Sequence, residues 1–110
     1  MSSPAAADDT RLDGQVALVT GGAGILGARF CAGLAARGAR VAVVDLCEEA
    51  ARGVAEEIGG HGFACDVSDP ASVRDCVAAV ADRWGRIDVL LNNAATKTAN
   101  PRDFFCPFDD

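Results

Sequence analysis

The sequence has no tyrosine, and only one tryptophan, one methionine and one histidine. Without a phenol, and with a single imidazole at His61, the chain holds no side-chain set of the Ser-His-Asp kind. His61 stands alone in "GGHGF", with no ligand partners nearby, and reads as a turn residue; no metal is expected. Basic charge is sparse as well. Ten Lys and Arg, with Lys97 the lone lysine, are scattered against sixteen Asp and Glu, for a net charge of -6. That excludes a basic nucleic-acid surface. No apolar run approaches the roughly 20 residues of a membrane span, so neither nucleic acid nor a membrane is expected as a partner. The opening "MSSPAAADDT" lacks the basic and apolar regions of a secretory signal, and residues 1–13 are expected to form a disordered tail. Cys31, Cys47, Cys65, Cys76 and Cys106 form no CxxC and no metal-like spacing. They are expected to be reduced structural thiols of a cytoplasmic protein.

What the chain does have is a rhythm. Its 110 residues suffice for one small domain, and half of them are hydrophobic. "QVALV" (15–19) is an apolar run with no polar alternation, the pattern of a strand buried on both faces. After it, Leu26, Phe30 and Leu34 recur every four residues, Ile25 and Cys31 widen the stripe, and Gly38 closes a helix. "RVAVVD" (40–45) is a second buried strand. Ala50, Val54 and Ile58 make the next helical face, stopped by Gly59-Gly60. "GFACDV" (62–67) is a third strand; Asp69 and Pro70 then supply an N-cap and an N1 proline. Val73, Val77, Val80 and Trp84 form a helical stripe ending at Gly85, and "IDVLLNN" (87–93) is a fourth strand. This alternation predicts an α/β fold, a Rossmann-type doubly wound parallel sheet in strand order 3-2-1-4, truncated after the fourth strand. The remainder, "AATKTANPRDFFCPFDD", has no helical period and reads as a loop whose phenylalanines pack on something else.

"TGGAGILG" (20–27) places four glycines between the first strand and the first helix. Glycine in an ordered segment costs roughly 0.5–1 kcal/mol relative to alanine, so some geometric demand is being met. Helix N-termini carry N–H groups without intrahelical partners and favour anions. Gly22, Gly24 and Gly27 satisfy G-x-G-x-x-G: the first for the tight turn, the second for close approach of a pyrophosphate, the third for helix–strand packing. Asp45, at the end of the second strand, is placed to accept hydrogen bonds from a ribose diol. The competing reading is a glycine turn that only permits packing, with Asp45 a solvated strand end.

With these features the sequence resembles the short-chain dehydrogenases/reductases from about Gln15 to Ala95. "TGGAGILG" looks like that family's glycine signature, "CDVSD" like its adenine-contacting Asp-Val, and "NNAA" like its Asn-Asn-Ala-Gly motif. The commoner branch would have glycine where Ile25 stands; T-G-x-x-G-x-x-G, typical of another branch, fits Gly21, Gly24 and Gly27. The branch therefore stays open.

The resemblance implies that backbone around Gly22, Gly24, Ile25 and Leu26 contacts the pyrophosphate and nicotinamide half. Asp45 would hold the adenosine ribose. Asp66 would meet adenine by side chain and Val67 by backbone. Asn93 and Ala94 would lie near the cofactor ribose, while Asn92 braces the sheet. The alternative for Asn92 and Asn93 is a turn after a strand, and for Asp66 a helix cap. The implied cofactor is NAD, preferred over NADP because Asp45 repels a 2′-phosphate. The implied activity is hydride transfer between an alcohol and a ketone, in a homo-oligomer.

The family's chemistry uses a tyrosine and a lysine four residues apart, with a serine and a further asparagine, and this chain offers no such set. The expectation is a dinucleotide-binding half-domain over 14–95, with 96–110 leading into a catalytic half that lies elsewhere. The alternative is a stand-alone, non-catalytic dinucleotide-binding module.

Overall fold

Strand β1 (Val16–Thr20) is buried along its whole length, because apolar layers cover both sides of it. On one face Val16 and Leu18 join Ala42 and Val44 of strand β2 (Arg40–Asp45). On the other, Val19 joins Val41 and Val43. β-Branched runs without polar alternation are what such doubly covered strands require. The computed structural model describes residues 11–93, which form a four-stranded parallel sheet in the order β3-β2-β1-β4. Helices α1 (Ile25–Ala36) and α2 (Glu48–Ile58) cover one face through Cys31, Ala51 and Ala55. Helix α3 (Pro70–Trp84) covers the other through Cys76 and Val80. This is the Rossmann-type arrangement that the sequence predicts.

Strand β2 matches its predicted bounds, whereas β3 (His61–Ala64) stops earlier than residues 62–67. Its partner sets the limit. β2 ends at Asp45, paired with Ala64, and the last link is the Cys65 N–H to the Asp45 carbonyl at 2.9 Å. Nothing remains for residues 66 and 67 to pair with. His61 is no turn residue: it opens β3, its ring 4.7 Å from that of Phe63, and Gly59 at φ +72° makes the turn instead. Strand β4 (Val89–Asn92) is likewise shorter than the predicted 87–93.

Most of each predicted stripe packs inward, Leu34, Val54 and Ile58 on one face of the sheet and Val73, Val80 and Trp84 on the other, but Ile25, Leu26 and Val77 do not. In α1 the buried residues are Gly27 and Cys31, while Ile25 and Leu26 are 86% and 55% exposed. The contact point decides this, because a Cβ at Gly27 would collide with the Gly21 carbonyl oxygen. The helix rests on its smallest residue, and its neighbours swing outward. In α2 the buried residues are Ala51 and Ala55, with Val54 and Ile58 packed beside them. In α3, Cys76 takes the inward place expected of Val77, which is 43% exposed. The helix ends behave as expected: Asp69 accepts the Ala71 N–H at 3.0 Å, Pro70 follows, and Gly85 closes α3 at φ +82°.

Cys31, Cys65 and Cys76 are buried free thiols, but Cys47 takes part in a disulfide, which corrects the expectation of uniformly reduced cysteines. Pairing depends on the distance between Cα atoms, which sequence spacing does not reveal. Ala94, Lys97, Cys106 and the phenylalanines at 104, 105 and 108 lie outside the described residues.

Candidate functional site

The C-terminal ends of the parallel strands carry the glycine turn, Asp45, Asp66 and Asn93 at one edge of the sheet. The turn follows β1 directly. Gly21 has φ +66°, so the tight left-handed step falls there and not at Gly22. That corrects the assignment of the turn to the first glycine of G-x-G-x-x-G and matches the spacing of Gly21, Gly24 and Gly27. Gly22 serves packing. Its N–H donates to the Val44 carbonyl at 2.9 Å, and a Cβ on it would sit 2.8 Å from Val43 Cγ1. Gly27 serves packing as well, as described above.

Gly24 answers to neither demand. Its backbone, φ -73° and ψ 172°, is extended and open to any residue. A Cβ there would meet only the Gly21 carbonyl oxygen, at an ordinary 3.5 Å. Gly24 is also the N-cap of α1, with no side-chain cap and no acid in the first turn. The first intrahelical bond runs from the Ala28 N–H to the Gly24 carbonyl at 2.8 Å, so the N–H groups of Ile25, Leu26 and Gly27 have no intrahelical acceptor. Helix α3 differs in having Asp69 as its cap.

Asp45 is not a solvated strand end. It is 2% exposed, and its carboxylate accepts the Ala23 N–H at 3.0 Å on Oδ2 and the Cys47 N–H at 3.2 Å on Oδ1. Burial pushes its pKa above the usual carboxylate range, against the lowering effect of the backbone donors at Cys47, Ala23 and Leu46.

Asp66, by contrast, is exposed. Its Oδ1 accepts both the Ser68 hydroxyl at 2.6 Å and the Ser68 N–H at 3.0 Å, and these bonds hold its pKa below the usual range. Its own N–H donates to Ser72 Oγ at 2.9 Å. Asp69, not Asp66, caps α3, so the capping alternative for Asp66 falls away. The Val67 side chain packs against the core, leaving its backbone at the strand ends.

Thr20 ties β1 to the end of β4. Its hydroxyl donates to Asn92 Oδ1 at 2.8 Å and accepts the Asn93 N–H at 3.0 Å. The Asn93 side-chain amide reaches the Gly21 carbonyl at 3.4 Å. Asn92 braces the sheet, as the sequence implied, and Asn93 is drawn against the glycine turn. Thr20 is the functional-edge residue that sequence reading passed over. Its only signal was its place at the head of "TGGAGILG". Gly21 through Gly27, Asp45 and Asn93 thus form one connected edge, and Asp66 and Val67 lie beyond the Cys65–Asp45 backbone bond. Ala94 lies outside the described residues.

The thiols are poor candidates for chemistry. Burial pushes Cys31 up to about 11, and burial with the charge and hydrogen bond of neighbouring Cys65 pushes Cys76 up to about 12. The reactive thiolate form is suppressed in both. No group of His, Cys, Asp and Glu fit to hold a metal ion occurs among the described residues, and no helix there is long and apolar enough to cross a membrane.

A parallel α/β sheet with a bare glycine turn at a helix N-terminus and a buried acid beside it defines a nucleotide-binding class of fold. Residues 15–107 match the family model described as short chain dehydrogenase, and the chain belongs to that family. It is 48% identical over 100 residues to D-threitol dehydrogenase of Mycolicibacterium smegmatis, covering 86% of this chain and 38% of that protein. It is 52% identical over 87 residues to sorbitol dehydrogenase of Cereibacter sphaeroides, covering 77% and 34%. Among solved structures, 3-ketoacyl-(acyl-carrier-protein) reductase of Brucella melitensis complexed with NADH superposes with a TM-score of 0.70 at 36% identity, covering 72% of this chain and 33% of that one. The chain therefore spans little more than a third of the length of the curated relatives that it matches.

Proposed function

We propose that this chain is the dinucleotide-binding part of an NAD-dependent oxidoreductase that moves a hydride between an alcohol and a carbonyl compound. The observation that carries the reading is Gly24. Neither its backbone angles nor its neighbours call for glycine, and the cradle that a Cβ would fill lies at an uncapped helix N-terminus, where a phosphate is favoured.

In this reading the Ile25, Leu26 and Gly27 N–H groups donate to the pyrophosphate. Asp45 accepts from the adenosine ribose diol, Asp66 and the Val67 backbone face the adenine, and Asn93 with Ala94 borders the second ribose. The bound nicotinamide supplies the hydride donor or acceptor. This chain's residues bind and orient it, and none of them is assigned a proton-transfer step. The likeness to D-threitol dehydrogenase and sorbitol dehydrogenase supports a small alcohol or its carbonyl counterpart as the substrate of the whole protein. A homo-oligomeric, cytoplasmic parent belongs to the same reading. The stand-alone module is disfavoured by β4, whose Leu90 is 67% exposed on a terminal strand of the sheet.

NAD is preferred because a 2′-phosphate would meet the Asp45 carboxylate, and like charges brought together cost several kcal/mol. The turn from Thr20 to Gly27 contains no Lys or Arg to offset that charge, and Arg40 lies at the far end of β2. Calorimetric titration with NAD and with NADP tests the proposal. Tighter binding of NAD is expected; equal affinity or an NADP preference would overturn the cofactor assignment.

A further inference from the structure

We propose that Asp45 is also a positioning residue for the phosphate-binding turn, an inference that rests on the dinucleotide reading above. Three of the four residues from Gly21 to Gly24 lack side chains, so the turn must be fixed through its backbone. The Gly22 N–H is held by the Val44 carbonyl at 2.9 Å and the Gly24 N–H by the Gly21 carbonyl at 3.2 Å. Between them, the Ala23 N–H is held by a side chain, Asp45 Oδ2 at 3.0 Å.

The other oxygen of the same carboxylate takes the Cys47 N–H at 3.2 Å. The group is thereby clamped across the end of β2 while it grips the turn after β1. Hydrogen bonds to an ionised acceptor are the stronger kind, and at 2% exposure this one is shielded from water. A carboxylate has about four lone-pair sites. The backbone donors at Ala23, Cys47 and Leu46 leave at least one such site for a ribose hydroxyl, so one side chain can join the adenosine half of the site to the pyrophosphate half.

The sign of one effect separates this role from simple ribose recognition. An acid that only recognised ribose would be irrelevant to a ligand without adenosine, or would repel its phosphate, and its removal would leave binding unchanged or improve it. An acid that holds the turn in place makes removal weaken such a ligand.

The probe is nicotinamide mononucleotide, which carries phosphate and nicotinamide but no adenosine ribose, titrated against the backbone amide signals of the chain. Asp45→Ala is expected to weaken it about tenfold, and to speed hydrogen exchange of the ligand-free Ala23 amide about tenfold. The Val19 and Val43 amides in the core should keep their protection. Asp45→Asn, which retains one acceptor oxygen in a side chain of the same shape, should fall between, and it carries the same comparison if Asp45→Ala fails to fold. Unchanged or tighter binding of the mononucleotide, together with wild-type protection at Ala23, overturns the proposal. The exchange comparison needs no ligand, so it stands apart from the dinucleotide reading, which fails if NAD does not bind the unaltered chain.

Discussion

Replacing Gly24 with valine should separate ligand binding from folding. The backbone at this position lies in the extended region, which a β-branched residue adopts without strain. The new Cβ meets only the Gly21 carbonyl oxygen, at 3.5 Å. Valine is a poorer N-cap than glycine by about 1 kcal/mol, and the stiffer unfolded chain returns about 0.4–1 kcal/mol, so net stability should move by less than about 1 kcal/mol. Binding should respond differently. The branched side chain fills the volume next to the first-turn N–H groups, where crowding costs about 1–3 kcal/mol and each lost hydrogen bond to a charged group about 1.5–3 kcal/mol. A total near 3 kcal/mol is a loss of roughly a hundredfold in affinity. Gly27→Ala is the counterpart. Its methyl would collide with the Gly21 carbonyl oxygen and lie 2.9 Å from Gly22 Cα, so it should lower the melting temperature first. The assay pairs thermal melting with calorimetric NAD titration for both variants. If Gly24→Val binds NAD within threefold of the unaltered chain, or melts as low as Gly27→Ala, the glycine is there for packing and the reasoning fails.

Two further substitutions probe the scaffold. Gly53 lies in the interior of α2 with open space where its Cβ would be, so Gly53→Ala should raise stability by up to about 1 kcal/mol, read from denaturant unfolding; destabilisation would contradict the open space. Asp88 is chelated by Arg86, with contacts down to 2.7 Å, and accepts the Val16 N–H at 2.8 Å, so its pKa lies below the usual carboxylate range. For an acid of lowered pKa the stabilisation is present above the unfolded value near 4 and is lost as pH falls through the folded value. Acid titration of stability should therefore show a component below pH 4 that Asp88→Asn removes; an unchanged acid limb in the variant would contradict it.

How far the sequence disclosed this structure depended on what set each feature. Arg40–Asp45 was legible residue by residue because burial on both faces writes itself into an unbroken apolar run. The end of β3 was not, because it is imposed by the last residue of β2, a long-range fact. In α1 Cys31 and Leu34 face the core as read, but Ile25 and Leu26 were misplaced for a related reason. The helix is apolar almost all round, so periodicity could not choose a face, and the choice fell to the contact between Gly27 and the Gly21 carbonyl. At the site, the glycine spacing and the acid after β2 were visible as a pattern. Their division of labour was not: the tight step is at Gly21, packing at Gly22 and Gly27, and only Gly24 is left without a structural duty. Asp45 was legible as an acid at a strand end, but its burial was not, since nothing local says that the amides of Ala23 and Cys47 converge on it. Thr20 was invisible as a link because its partners, Asn92 and Asn93, lie more than seventy residues away and become neighbours only when β1 and β4 pair.

The central claim is that the turn from Thr20 to Gly27 receives the pyrophosphate of a nicotinamide dinucleotide. Its most direct test is to follow the backbone amide signals of the chain as NAD is added. The largest changes are expected at the Gly24, Ile25, Leu26 and Gly27 amides, with a second group at Asp45 and Asn93 and little movement at the N-terminal ends of the strands, around Val16 and Arg40. Saturable changes centred anywhere else, or none at the turn at millimolar NAD, would contradict the account.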